Sequence, residues 1–176
     1  SADALGNELM KQAAAGLLAT MADGMAVFAP NANSYRRLRP ESYVPMHATW
    51  GYNNRGVAVR VPISGPEDRR VEHRVSGADA NPYLVAAVVL AGMLHGIEKK
   101  LKLTAKPIHG TNQGAENIPR APRTLIETTR IFRDSDLARD WFGDDFVDHY
   151  TATRDWEWRQ WLDAVTDWEM KRYFEI

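Results

Sequence analysis

Two short segments of this 176-residue chain alternate apolar and polar side chains with the period of a β-strand, and the pairing they demand constrains the fold more than any other feature. In residues 55–61, Val57, Val59 and Val61 fall on one face and Gly56, Ala58 and Arg60 on the other. Pro62 to Asp68 reads as a turn. In residues 70–75, Val71, His73 and Val75 share one face, and Arg70, Glu72 and Arg74 share the opposite one. A hairpin, or two neighbouring strands of one antiparallel sheet, sends the valines into a core and sets arginines around a carboxylate.

The remaining segments read mostly as helix. Leu5, Leu9, Ala13, Leu17 and Met21 recur at helical spacing through residues 3–22, with Gly24 and then Pro30 as stops. Residues 29–49 hold Pro30, Pro40 and Pro45 and fit no regular element, so a long ordered loop is expected there. Asn81-Pro82 is a helix start, with Asn as N-cap and Pro at the first helical position. The helix it opens should run to about Leu101 and be buried, because it is apolar nearly all round from Leu84 to Leu94. A Gly-, Asn- and Pro-rich loop spans residues 105–122. Helices follow at 123–134, 135–141 and 144–165, and a short aromatic helix over Asp167 to Ile176. The expected fold is α+β: a small antiparallel sheet packed with helices. No repeat, low-complexity tract or internal linker divides residues 1–176.

Composition excludes several function classes. A formal net charge of -1 gives no global field to draw the chain to nucleic acid or a membrane. The absence of cysteine removes disulfides and thiolate metal sites, and fits the reducing cytoplasm. The apolar run Leu84 to Leu94 is too short to span a bilayer, which needs about 20 residues. The start, Ser1-Ala-Asp-Ala-Leu-Gly, shows no signal-peptide pattern, and opening without Met points to a cut or processed chain. None of the five histidines has a helical i, i+4 partner, so no zinc motif appears and each reads as structural. There is no phosphate-binding Gly-Lys loop and no dinucleotide fingerprint. Trp156, Trp158, Trp161 and Trp168 read as core or subunit packing.

The chemistry lies in the arginines. Arg70, Glu72 and Arg74 on one strand face are compatible with a solvated surface carrying cross-strand ion pairs. They are equally compatible with a carboxylate that holds a hard cation, flanked by guanidiniums whose planar forks match phosphate and carboxylate oxygens. Arg37 in the Pro-flanked loop, Arg55 at the start of the first strand and Arg60 opposite its valine face add three more cations. Singly, each reads as a surface arginine. Converging on one sheet face, they call for a polyanionic ligand.

In order and spacing, Asn33-Ser-Tyr-Arg-Arg-Leu, Trp50-Gly through Asn54-Arg55, Arg60-Val-Pro62, Arg70-Val-Glu72-His-Arg74, Ala78-Asp-Ala-Asn-Pro-Tyr-Leu84 and the late Asp167-Trp-Glu with Arg172-Tyr resemble the glutamine synthetases. The resemblance covers essentially all of residues 1–176, as the C-terminal part of that family's catalytic domain. It implies an ATP-dependent carboxylate–amine ligase that phosphorylates the side chain of glutamate and lets an amine displace the phosphate, with ATP and Mg²⁺ (or Mn²⁺) as cofactors. On the matching positions, it implies that Arg37 holds glutamate and that Arg55 stabilises the transferred phosphoryl group, touching nucleotide and substrate. Arg60 and Arg70 lie near the ATP phosphates, Glu72 is a metal ligand, and Arg74 is a second substrate-side, catalytic arginine. It further implies glutamate and an amine as partners, no nucleic acid or membrane, and a ring-shaped homo-oligomer.

Two departures refine the expectation. Ammonia-using members carry a glutamate where this chain has Tyr43, and a phenol offers no fixed negative charge near neutral pH. Tyr43 therefore belongs to the substrate site of a ligase for a larger amine, in the character of the γ-glutamylpolyamine synthetases and related γ-glutamylamide ligases. The loop from Ile108 to Pro122 also lacks the tyrosine that bacterial members use as a nucleotidylation switch. The family's N-terminal domain, first metal carboxylates and metal-binding histidine have no counterpart here, so the isolated chain is expected to be inactive. An ammonia-dependent glutamine synthetase and a non-catalytic binding or assembly relative are the alternatives.

Overall fold

In the computed structural model, which describes residues 5–39, 42–110, 118 and 120–175, a helical pair supports a small sheet. Helix α1 spans Glu8–Ala19, opened by Asn7, whose side chain accepts a hydrogen bond from the Met10 amide at 3.0 Å. Thr20 breaks the helical path, and α2 continues over Met21–Phe28. The expected stop at Gly24 is therefore corrected. Gly24 lies inside α2, where a Cβ would come within 2.7 Å of Val88 Cγ1, so its role is to admit a neighbouring helix. Pro30 does coincide with the end of α2, as its bias against a helical predecessor requires.

The Asn81 side chain accepts from the amides of Tyr83 and Leu84 and opens α3, Pro82–Glu98. This helix crosses α1 at backbone distance. A Cβ on Gly16 would lie 2.2 Å from the Gly92 carbonyl oxygen, and one on Gly96 would lie 2.1 Å from the Gln12 carbonyl oxygen. The expectation that α3 is buried all round is corrected by its outer face, where Tyr83, Leu90 and Leu94 are more than half exposed. The close approach is made by small residues, so the large side chains project the other way, and no described residue covers them.

The sheet has three strands in the order β1 (Trp50–Tyr52), β2 (Val59–Val61) and β3 (Glu72–His73). The antiparallel pair expected from the alternation is β2 with β3, in register Val59 to His73 and Arg60 to Glu72. The sheet as a whole is mixed rather than wholly antiparallel, because β1 lies parallel to β2. The connection 53–58 reverses twice, helped by Asn53 at φ 48°, and the far edge of β1 is covered by the segment 105–110. Trp50 Nε1 donates to the Ala105 carbonyl at 2.8 Å, and the Ile108 amide donates to the Trp50 carbonyl at 2.8 Å.

Two apolar cores result. Val59 and Val61 of β2 meet Leu5, Ala14, Leu17 and Trp50. A larger core joins α2, Tyr35 and Val88 to the C-terminal helices α4 (Leu125–Asp134), α5 (Asp136–Phe142) and α6 (Asp144–Asp163). The last helix, α7 (Asp167–Tyr173), is exposed throughout, and Trp156, Trp161 and Trp168 are 42–63% exposed, so they are not core residues. The long loop holds one regular element, a 3-10 helix over Ala32–Arg37. Expected helical residues 3–4, Pro40, loop residues 111–117 and 119, and Ile176 lie outside the described residues. Among the described residues, no helix is long and apolar enough to cross a membrane.

The α1–α3 contact makes a direct prediction. Gly96→Ala forces a methyl into backbone, not into a yielding side chain. It is expected to destabilise the protein by about 1–3 kcal/mol. Urea unfolding monitored by circular dichroism reads this, and an unchanged midpoint would show that the two helices can separate without loss.

Candidate active site

The β2–β3 ladder is what assembles the charged face. Because Arg60 and Glu72 are cross-strand partners, their side chains leave the sheet on the same side. Arg60 Nη1 donates to Glu72 Oε2 at 2.7 Å, and Arg70 Nε lies 3.5 Å from Glu72 Oε1. The hydrogen bond from Arg60 holds the Glu72 carboxyl below the usual carboxylate range. Burial opposes this, and the charges of Arg60, Arg70 and Arg74 reinforce it. These side chains are partly open to water, at 20% for Arg60 and 29% for Glu72, so solvent screens the pair and its net worth is modest. Behind the carboxylate, His73 points into the core against the Phe28 ring, with centroids 4.5 Å apart.

Arg74 and Arg55 meet at the edge of the same face. Arg74 Nε donates to the Arg55 carbonyl at 3.1 Å, which ties the loop before β2 to the residue after β3. The Arg55 residue itself is exposed. Arg37 comes from a different element, the last residue of the 3-10 helix, and its Nη2 donates to the Val75 carbonyl just beyond β3. A cavity of about 480 Å³ lies over it, lined by Asn33, Ser34, Arg36, Arg37, Arg39, Ala78 and Asp79. Tyr43 is 78% exposed.

The structure thus brings Arg60, Arg70 and Glu72 into direct contact and places Arg74 and Arg55 beside them. Arg37 reaches the chain just beyond β3 through Val75, while Tyr43 stands apart from this network of contacts. Sequence reading missed Asp79 and Ser34. Ser34 Oγ donates to Asp79 Oδ2 at 2.5 Å, and Asn31 Nδ2 donates to the same oxygen at 3.3 Å. The available signal was the Asn31-x-x-Ser34 spacing, which forms a capping box here. Nothing local linked it to Asp79.

The groups the resemblance implies, phosphate and a divalent cation, make different demands on this donor set. For phosphate it fits: Arg37 Nε and Arg60 Nε are among the buried side-chain polar atoms without a hydrogen-bond partner among the described residues. Unpaired buried donors on guanidiniums suit an anion. For a divalent cation the fit is partial. Such an ion takes about six oxygen ligands, and among the described residues no group of three His, Asp or Glu side chains lies together. Glu72 can supply one ligand, once its oxygens are released from the arginines.

An α+β scaffold whose sheet carries arginines around one carboxylate, with a further arginine in a flanking loop, is the framework of an anion-handling site. The comparisons name the class: the chain belongs to the glutamine synthetase family, whose model, described as glutamine synthetase, catalytic domain, matches residues 1–173. Type-1 glutamine synthetase 2 of Dictyostelium discoideum is 40% identical over 173 residues, covering 97% of this chain and 33% of that protein. Gamma-glutamylputrescine synthetase PuuA of Escherichia coli (strain K12) is 40% identical over 163 residues, covering 93% of this chain and 34% of that protein. The solved structure of apo GmaS without ligand superposes with a TM-score of 0.86 at 25% identity, over 100% of this chain and 40% of that one. The chain spans about a third of the length of these curated relatives.

Acid titration probes the Asp79 cluster. Burial pushes its carboxyl up, but the hydrogen bonds from Ser34 and Asn31 and the charge of Arg37 outweigh this and hold it below the ordinary value of 3.8. A lowered folded-state value means the cluster stabilises the fold above the unfolded value, and that contribution is lost as pH falls through the folded one. Asp79→Asn is therefore expected to flatten the acid side of a stability–pH curve below about pH 5. Identical acid slopes for the variant and the parent would contradict the coupling.

Proposed function

We propose that this chain is the C-terminal part of the catalytic domain of an ATP-dependent glutamate–amine ligase, and that it supplies the arginine-rich half of the active site. The observation that carries the reading is the grip of Arg60 and Arg70 on Glu72 across the β2–β3 ladder, with a buried donor of Arg60 left unpaired. Such a face is primed to exchange its internal counter-ion for phosphate oxygens and a metal.

ATP, when bound, supplies the phosphoryl group that turns the glutamate γ-carboxylate into an acyl phosphate, γ-glutamyl phosphate. The chain's own residues position and neutralise. Arg37, steadied on the Val75 carbonyl, holds a glutamate carboxylate in the cavity above it. Arg60 and Arg70 would bind phosphate oxygens, and Glu72, once released by them, would hold Mg²⁺ or Mn²⁺. Arg55 and Arg74, joined through the Arg55 carbonyl, spread the charge that builds on the transferring group and orient the acyl carbon for amine attack. The whole protein is proposed to act in the cytoplasm as a ring-shaped homo-oligomer, as the family resemblance implies.

The amine is proposed to be larger than ammonia. Support comes from Tyr43 in place of an acidic residue, and from the similarity to a protein named for γ-glutamylputrescine synthesis. With the full-length protein, kcat/KM for putrescine or another primary amine is expected to exceed that for ammonium at least about tenfold. A preference for ammonium would instead support an ordinary glutamine synthetase.

The 176-residue chain by itself is proposed to be inactive, because Glu72 alone does not make a strong Mg²⁺ site. Purified alone and supplied with ATP, Mg²⁺, glutamate and an amine, it is expected to release no phosphate above background. Turnover in that assay would overturn this.

A further inference from the structure

Arg37 carries a mechanical problem. One Nη is anchored on the Val75 carbonyl, but Nε is enclosed without a partner, and burial works against the charged form of the guanidinium. A long side chain held at one end of its fork can swing, and a substrate-binding fork must not. A chain of hydrogen bonds ends close to it. Asp79 lies near enough for its charge to favour the guanidinium. Gly77 permits that approach, because a Cβ there would lie 2.4 Å from Asp79 Oδ1 and 3.2 Å from Arg37 Nε. Asp79 is itself held. Its Oδ2 accepts from Ser34 Oγ at 2.5 Å and from Asn31 Nδ2 at 3.3 Å, while the Asn31 amide donates to Ser34 Oγ at 3.0 Å.

The same asparagine faces α6. Arg154 Nη1 donates to the Pro30 carbonyl and reaches Asn31 Oδ1 at 3.5 Å. The Arg154 guanidinium lies 5.4 Å from the centre of the Tyr150 ring, and the Tyr150 hydroxyl donates to the Ala26 carbonyl at 3.0 Å. A continuous polar path therefore runs from α6 through Asn31 and Ser34 to Asp79, and ends beside Arg37.

We propose that Asp79 is the positioning residue for Arg37, and that Arg154 fixes the far end of the path that holds Asp79. This rests on the reading of Arg37 as the arginine that binds glutamate. Asp79 suits the role because an ionised carboxylate only accepts hydrogen bonds, so Ser34 and Asn31 can both donate to one oxygen while its charge faces the guanidinium. A structural cap alone would need no charge at that place.

The experiment uses steady-state kinetics of the full-length protein. Asp79→Asn keeps the shape and removes the charge. It is expected to raise KM for glutamate about tenfold while kcat and KM for ATP change less than about threefold. Arg154→Met should move the same parameter in the same direction by less, and Arg154→Lys should restore most of it. An unchanged KM for glutamate in Asp79→Asn, or equal rises in KM for glutamate and for ATP, would overturn the proposal. A second readout stands apart from catalysis: a crystal structure of Asp79→Asn. Arg37 leaving the Val75 carbonyl supports positioning, and Arg37 unmoved overturns it. If the full-length protein does not use glutamate, the ligase reading fails, and the structure of the variant still decides whether Asp79 holds Arg37.

Discussion

The backbone contact between α1 and α3 is the constraint on which the rest of the structure depends. Gly16, Gly92 and Gly96 let two helices approach until main-chain atoms meet, closer than any pair of side chains would permit. That spacing sets the position of Leu17 and Ala14 beneath Val59 and Val61, and therefore the height of β2 above the helices. It also brings Val88 into the hollow left by Gly24 on α2, so the two cores are joined through one helix. Move α3 outward by a methyl group and both the sheet and the α2 contact lose their seat. The charged face is built on that seat, because Arg60 projects from the strand whose other face the valines anchor.

The site itself is held by weaker and more exchangeable forces. Glu72 is gripped by two arginines at a half-open surface, where water screens the pair and other anions can compete for the guanidiniums. This is the balance a binding site needs. The strands hold the backbone positions rigidly, while the ion pairs on them remain open to exchange. Arg37 is treated differently. It belongs to a loop rather than the ladder; it is anchored on the Val75 carbonyl and lies within the field of Asp79, whose hydrogen-bond partners lead on to α6. Arg37 and the arginines around Glu72 are thus fixed by separate parts of the chain.

Much of this was legible before the fold was known. The antiparallel pairing of β2 with β3 followed from alternation, which puts Val59 and Val61 on the inner face and Arg60 and Glu72 on the outer one, whereas the register that sets Arg60 opposite Glu72 is given by the structure. The α3 start followed from Asn81-Pro82, and the four late helices were expected in the order the structure shows. Other features were not legible. Gly24 looks like a helix stop in one dimension, because the Val88 methyl that needs its space lies far away in sequence. The parallel partner β1 is three residues long, too short for alternation to register. The exposure of Tyr83, Leu90 and Leu94 was hidden because an all-apolar helix does not tell which of its faces finds a neighbour. Likewise, composition alone does not separate core from subunit packing for the late tryptophans: Trp158 packs against the larger core, while Trp156, Trp161 and Trp168 lie outside it.

What the amino-acid order determined by itself was the local grammar and the chemical inventory. It set the strands with arginines on one face, the capped helices, and an ordered motif set specific enough to identify a family. Only the tertiary structure decided which of those charges meet. Arg60, Arg70 and Glu72 converge because two strands pair, whereas Asp79 meets Ser34, on the same 3-10 helix as Arg37, because a loop folds against the turn before α3. Local propensities depend on neighbours a few residues away, so they can be read in line. A hydrogen bond between residues 34 and 79 depends on every core contact that brings those segments together, and no short window of sequence contains that information.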